Sequence, residues 1–538
     1  MSSDRRDFLK LATATLVGAT SPALPAASNP GAQALPGSNA AAPLNFNVRN
    51  YGATGDGHTL DSPAINAAID AVSAAGGGTI HFPAGTYASY SIHLKSNITL
   101  YLDTGAIILA AGTPLEGTVS GGYDSAEPQG PWEPYQDYGH NHWHDSLIWG
   151  ENLHDVAIIG TGLIWGKGLS RGHGNDTDLP DTTKPGVGNK AIALKNCHNV
   201  LLRDFSVLQG GWFALLATGV DNLTIDNLKI DTNRDGLDID CCKNVRVSNC
   251  TVNSPWDDGI CPKSSFALGY PRVTENLTIT NCYVTGDYQL GSVLDGTWKR
   301  SGPQAHFSPT GRIKFGTESN GGFKNITISN CVFESCRGLA LETVDGAQCE
   351  DITITNIAMR DVRNSPLFLR LGIRMRGPQD AQSGTLKRIL ISNIVSSGAV
   401  QLPSIISGVP NHLIEDIKLS DIYLHQTGGA PAEMAALQPP EKENAYPEPE
   451  MFGPLPATGF FLRHIRNLEM SHIEIATENP DPRHSFHLTD VHTSDFFRIK
   501  AAQNQSPIFH LQSITNFRLS GSRQLPDTII DTAASRDL

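Results

Sequence analysis

The chain has 538 residues, 54 acidic against 40 basic side chains and a formal net charge of −14, with no basic run. That balance argues against a nucleic-acid-binding surface. The length allows several domains but equally fits one repeat array, which grows without enlarging a central core.

At the N-terminus, Arg5-Arg6 precede Phe8-Leu9-Lys10 and a modest apolar stretch from Leu11 to Ala19, then small residues and prolines. This pattern predicts a twin-arginine export signal over 1–27, cleaved near Ala26 or Ala27, and hence a periplasmic or secreted protein. The stretch is too short to span a bilayer stably, and no other apolar run approaches membrane-spanning length, so no membrane association is expected after cleavage. A linker over 28–43 leads into the folded part, 44–538.

Ser62-Pro63 suggests a helix start, with Ser62 as the capping hydroxyl. Ile65, Ala68, Ile69 and Val72 follow at helical spacing, and Gly76-Gly77-Gly78 ends the run. A short amphipathic helix here suits the cap of a solenoid. From Asn97 onward one phrase recurs: Asn or Asp, an apolar residue, a polar one, an apolar one. It begins at Asn97, Asp155, Asn199, Asn222, Asn244, Asn276, Asn325 and Asp351, with weaker copies at Arg388, Asp416 and Asn467. Alternating apolar residues with turn formers at a period of about 22 to 26 residues predict a parallel β-helix. Nine cysteines, an odd number, leave at least one thiol without an intrachain partner. Cys250, Cys282 and Cys331 close successive phrases without a Cys-x-x-Cys clip, so an internal stack is expected rather than zinc ligation.

Three insertions interrupt the period. Residues 123–144 carry Trp132, Tyr135, Tyr138, Trp143 and the histidines His140, His142 and His144, read as a sugar-stacking or packing loop in preference to a metal site. Residues 287–311 hold Trp298, Lys299, Arg300 and His306. Residues 426–455 are rich in Pro and Glu and suit either a solvated loop or a cleft wall.

The chemistry concentrates in Asn233–Lys263. Asp235-Gly236-Leu237 lies over Asp258-Gly259-Ile260 with an offset of 258 − 235 = 23 residues, close to the coil period. Adjacent coils would then bring Asp235 and Asp258 to within roughly 4.7–4.9 Å at the backbone, with Asp257 one residue away. Asn233 and Lys263 are expected in the same outward-facing patch. Repulsion among the carboxyls should keep one protonated near neutrality, an acid beside ionised bases, which is the pairing that glycosidic cleavage needs. Asp-Gly pairs also make turns, and calcium binding or a lyase with an arginine or lysine base are rival uses of such a cluster.

At these residues the chain resembles the family 28 glycoside hydrolases, the polygalacturonases and their relatives. The likeness runs over about residues 45–500. It includes Asn50-Tyr51-Gly52-Ala53 and Ser146-Leu147-Ile148-Trp149-Gly150-Glu151-Asn152. It implies an all-β, right-handed, single-stranded parallel β-helix with a short N-terminal capping helix and long loop insertions. It also implies inverting, metal- and cofactor-independent hydrolysis, with Asp257 as general acid and Asp235 and Asp258 activating water. Lys263 matches the lysine that follows the family's Asp-Asp motif.

Arg234 stands where that family has Thr, and Trp256 where it has Gly. The Gly-His-Gly position reads as Gly286-Asp287-Tyr288, with His306 as a substitute histidine. Arg312-Ile313-Lys314 resembles the family's last motif but comes early. The segment in register is Arg337–Glu342, where Ala340 and Glu342 replace the cations that grip a uronate carboxylate. A plain polygalacturonate substrate is therefore disfavoured. Arg312 and Lys314 are candidates to reach the cleft, and Glu342 to hydrogen-bond sugar hydroxyls. The expected protein is a monomeric hydrolase of a pectin-type or related plant polysaccharide. A β-eliminating lyase or epimerase and a non-catalytic carbohydrate-binding solenoid are the alternatives.

Overall fold

The computed structural model describes residues 46–112, 122–171, 180–302, 309–501 and 507–538. The expected export signal and His306 lie outside the described residues. Helix α1 (Ser62–Ala74) buries Ile65, Ala68, Ile69 and Val72 completely, as their spacing requires. Its N-cap is Asp61, not Ser62. The Asp61 carboxylate accepts from the Thr54 and Gly55 amides, while the Ser62 hydroxyl accepts from the Tyr90 amide and ties the helix to the strands.

The rest winds as a parallel β-helix. A representative coil runs Phe213–Thr218, Asp221–Asp226 and Lys229–Asp231, each strand pairing in parallel with its counterpart in the next coil. One interior column reads Val200, Leu223, Val245, Leu277, Ile326, Ile352, Ile389, Ile417 and Leu468, all buried. Each coil thus buries its apolar residues against its neighbours, and the burial stabilises the stack by roughly 25 cal/mol per Å² of apolar surface.

The turn that opens each phrase has a specific conformation. Asn97, Asp155, Asn199, Asn222, Asn244, Asn276, Asn325, Asp351, Arg388, Asp416 and Asn467 all have φ between 53° and 63°. Asn and Asp tolerate this left-handed region because their short polar side chains bond locally. Here they also bond along the stack: Asn222 Nδ2 donates to Asn199 at 3.1 Å, Asn276 to Asn244 at 3.0 Å and Asn325 to Asn276 at 2.7 Å. The repeated Asn therefore serves both the turn and the ladder.

All nine cysteines are free and buried. Cys250, Cys282 and Cys331 sit in one column of successive coils, flanked by the pairs Thr251–Tyr283 and Tyr283–Val332. At the far end, Thr528–Asp537 pairs antiparallel with Phe509–Ser520 and closes the last coil.

One face of the helix carries the acidic stretch. Its strands are β1 (Ser146–Glu151), β2 (Lys190–Lys195), β3 (Phe213–Thr218), β4 (Asp235–Asp240), β5 (Ile260–Lys263), β6 (Lys314–Phe315), β7 (Leu339–Thr343), β8 (Leu367–Leu371) and β9 (Ser404–Ser407). In register, β4 meets β5 as Leu237–Ile260 and Asp238–Cys261, which confirms the 23-residue offset.

Candidate active site

Asp235 opens β4, and Asp258 stands two residues before β5, with the Gly236 amide donating to the Asp258 carbonyl at 3.0 Å. The glycines of the two Asp-Gly pairs are needed for close stacking: a Cβ on Gly236 would lie 2.2 Å from the Gly259 carbonyl oxygen. Asp235, Asp257 and Asp258 each bring a carboxylate oxygen within 4.8 Å of the other two. The patch is less open than the sequence suggests, because Asp235 and Asp258 are buried and only Asp257, with 31% of its side chain exposed, faces the cleft.

The three carboxyls have unequal surroundings. Burial, followed by the neighbouring Asp257 and Asp238 carboxylates, pushes the Asp235 carboxyl well above the ordinary aspartate range. Burial would raise Asp258 as well, but Lys314, Arg312 and Lys263 outweigh it and hold that carboxyl well below the range. Asp258 accepts from Arg312 Nε at 2.9 Å and pairs with Lys314 Nζ at 3.1 Å. Asp257 accepts from Arg234 Nε at 3.2 Å, and the Arg234 guanidinium lies 4.4 Å above the Trp212 ring. These contacts pair Asp257 with arginine and Asp258 with arginine and lysine.

Arg312 and Lys314 occupy the rung directly above Asp258, since Ile260 bridges Ile313 and the Gly259 amide donates to the Arg312 carbonyl. Gly311-Arg312, after the insertion, therefore fills the place assigned to Gly286-Asp287-Tyr288. Those residues instead follow Tyr283–Thr285 on another face, where the Tyr288 ring packs 5.1 Å from Trp298.

Four expected substrate contacts are corrected, and Arg312 and Lys314, both buried among carboxylates, are the first two. Glu342 is wholly buried beneath Lys314 and Arg312, 3.8 and 3.9 Å away, and burial pushes its carboxyl up to about 8. Lys263 is also buried, paired with Glu318 at 3.0 Å and with Asp238 at 3.7 Å. Both support the cleft floor and do not line it. Asn233 is half-buried beside Asp235, and its Oδ1 has no hydrogen-bond partner.

The structure adds residues that the local sequence did not single out. Asp238 lies behind the trio, raised by burial against the pull of Lys263. His140, from the first insertion, approaches Glu318 at 3.7 Å and Asp238 at 4.0 Å. His142 and His144 turn to Glu133 and Glu151 respectively, both at 3.0 Å, so the three histidines do not converge on one point. Arg376 pairs with Glu318 at 2.7 Å and donates to the Tyr135 carbonyl, joining two walls of the cleft. The third insertion supplies Tyr446 and Glu448. Tyr446 Oη lies 3.5 Å from Lys314 Nζ, and Glu448 accepts from Arg312 Nη2 and pairs with Arg337 Nη1 at 2.9 Å. The Pro/Glu-rich insertion is thus a cleft wall. Nothing in its own composition announces this, because its partners lie more than a hundred residues upstream.

A family model described as "Rhamnogalacturonase A/epimerase, pectate lyase-like" matches residues 45–123, and one described as "Right handed beta helix region" matches residues 181–399. A probable polygalacturonase from Vitis vinifera is 27% identical over 326 residues, 55% of this chain and 61% of the relative's length. Among solved structures, the exopolygalacturonase of Thermotoga maritima superposes with a TM-score of 0.58 at 20% identity, covering 80% of this chain and 91% of that one. The family 28 exopolygalacturonase of Yersinia enterocolitica gives 0.60 at 18% identity, covering 87% and 79%. The two solved structures bear on the fold alone. The strand register and the family models identify the chain as a right-handed parallel β-helix, and the sequence relatives mark it as polygalacturonase-like.

Proposed function

We propose that this protein hydrolyses O-glycosidic bonds in a pectin-type or related plant polysaccharide, with Asp235, Asp257 and Asp258 as its catalytic carboxyls. The observation that carries the reading is the convergence of three carboxyls, of which Asp235 is raised and Asp258 lowered by its surroundings, the arrangement expected of an acid beside a base. Burial and the neighbouring carboxylates raise the Asp235 carboxyl and so favour a proton within the trio. In the productive form the proton sits on Asp257, the member open to the cleft, which hands it to the departing glycosidic oxygen. Asp235, then ionised, takes a proton from the attacking water. Asp258 stays charged and stabilises the positive charge that develops on the sugar ring.

Likeness to the polygalacturonases supports inversion of the anomeric centre. The spread of the nearest oxygens is shorter than the roughly 6.5–9.5 Å gap between carboxyl groups usual in inverting enzymes. Proton NMR of the first-formed anomer decides this point. The same reading includes export by the twin-arginine route and action as a monomer. Replacing Arg5 and Arg6 with lysine should retain the activity in the cytoplasm.

The decisive experiment incubates the mature protein and its Asp257→Asn variant with homogalacturonan, rhamnogalacturonan and xylogalacturonan oligosaccharides. The parent is expected to release reducing ends, and the variant to lose about 10²–10⁴-fold in rate. Equal rates would remove Asp257 from the acid role. Unsaturated, ultraviolet-absorbing products would replace hydrolysis with elimination, and unchanged glycans would leave a binding solenoid.

A further inference from the structure

Arg312 and Lys314 are the cations nearest Asp258, and a uronate carboxylate bound beside the trio would need such groups open to the cleft. They are not open: their side chains are 1% and 3% exposed. Each already sits among carboxylates. Arg312 serves Asp258 and Glu448, and Lys314 serves Asp258 while approaching Glu342 and Glu448. Glu448 is held ionised, because Arg312, Lys314 and Arg337 outweigh the effect of burial.

The cleft therefore presents different groups at this point. Glu448 keeps 19% of its side chain exposed, and Tyr446, 54% exposed, places its ring 5.6 Å from Lys314 Nζ. An aromatic ring beside carboxylates is well suited to the C–H face and hydroxyls of a neutral sugar. A substrate carboxylate there would face Glu448 and Asp257, and like charges brought together in a binding site repel one another. The nearby cations Lys263 and Arg376 are committed to Glu318, and Arg374 to Asp345.

We propose that the subsite bounded by Asp257, Tyr446 and Glu448 takes a neutral sugar residue and rejects a uronate, with Glu448 as the specificity-determining residue. The glutamate occupies the position that a substrate carboxylate would need in order to reach Arg312. The proposal rests on the hydrolase reading only in treating this cleft as the place where the glycan binds.

The test measures binding by calorimetry and cleavage by reducing-end release, on the parent and on Glu448→Gln. The probes are oligogalacturonides, the same oligosaccharides after carboxyl reduction to galactosyl residues, and rhamnose-ended rhamnogalacturonan oligosaccharides. The parent should bind a neutral-ended probe at least about tenfold more tightly than the oligogalacturonide. Glu448→Gln should narrow that gap by strengthening oligogalacturonide binding. Equal or tighter parental binding of the oligogalacturonide overturns the proposal, as does failure to bind any neutral-ended probe. Preferential binding of a neutral probe without cleavage supports the subsite and overturns the hydrolase reading, so the two failures are separable.

Discussion

The face that carries the candidate active site changes character along its length while its backbone does not. Near β4–β6 its central column reads Asp238, Cys261, Lys314, with the carboxyl trio beside it. Through β7–β9 and the strand beginning at Ala457 the same column reads Ala340, Phe368, Ile405, Phe461. There it is buried under Phe452 and Leu455 from the third insertion. That insertion is anchored on the apolar coils, where Arg370 and Arg463 donate to carbonyls at 439–442, and its tip reaches back to Arg312. A uniform ladder thus makes one stretch a foundation and the next a candidate site, according to the side chain at each rung and the loop above it.

The comparison can be broken most sharply at the reacting end. Asp235→Asn should lower the rate by about 10²–10⁴-fold with circular dichroism unchanged. It should also remove from the pH–rate profile the limb that the raised Asp235 carboxyl contributes. At the foundation, Phe452→Ala empties a buried site and should cost about 3–5 kcal/mol, read by denaturant unfolding. If activity falls further than stability explains, the anchor also positions the cleft wall.

A smaller effect is expected at Glu342, buried between the two regions. Its folded-state value of about 8 lies above the ordinary 4.5, so its contribution to stability is full below pH 4.5 and is lost as pH rises through 8. Glu342→Gln should therefore flatten the fall in Tm between pH 5 and pH 9. A variant that melts with the parental pH dependence would show that the carboxyl is not the source. Smallest is Asn222→Ala, which removes one ladder rung and leaves a Cβ residue in the left-handed region. It should cost about 1–2 kcal/mol and leave the rate unchanged, by thermal melting and reducing-end assay.

The parts of this design that are local were legible in the chain. The Asn phrase could be read because every coil needs one residue that tolerates positive φ at its turn. The Asp trio could be read because its 23-residue offset equals the coil period. The position of Arg312 was hidden because the 287–311 insertion breaks the count between one rung and the next. Glu448 was hidden more deeply, since its partner Arg312 is 136 residues away and only the folded path of the third insertion brings them together. Glu342 and Lys263 read as substrate contacts because the partners that bury them, Arg312 and Lys314 for one and Glu318 for the other, come from other coils.

The column of Cys250, Cys282 and Cys331 gives the molecule a built-in recorder of fraying. Contact with Cys250 and, less, burial push the Cys282 thiol up to about 12, and all three sulfurs are buried, so a reagent cannot reach them while the coils remain stacked. Because each belongs to a different turn of the winding, the order in which an alkylating reagent marks them under mild denaturant would show from which end the solenoid unwinds.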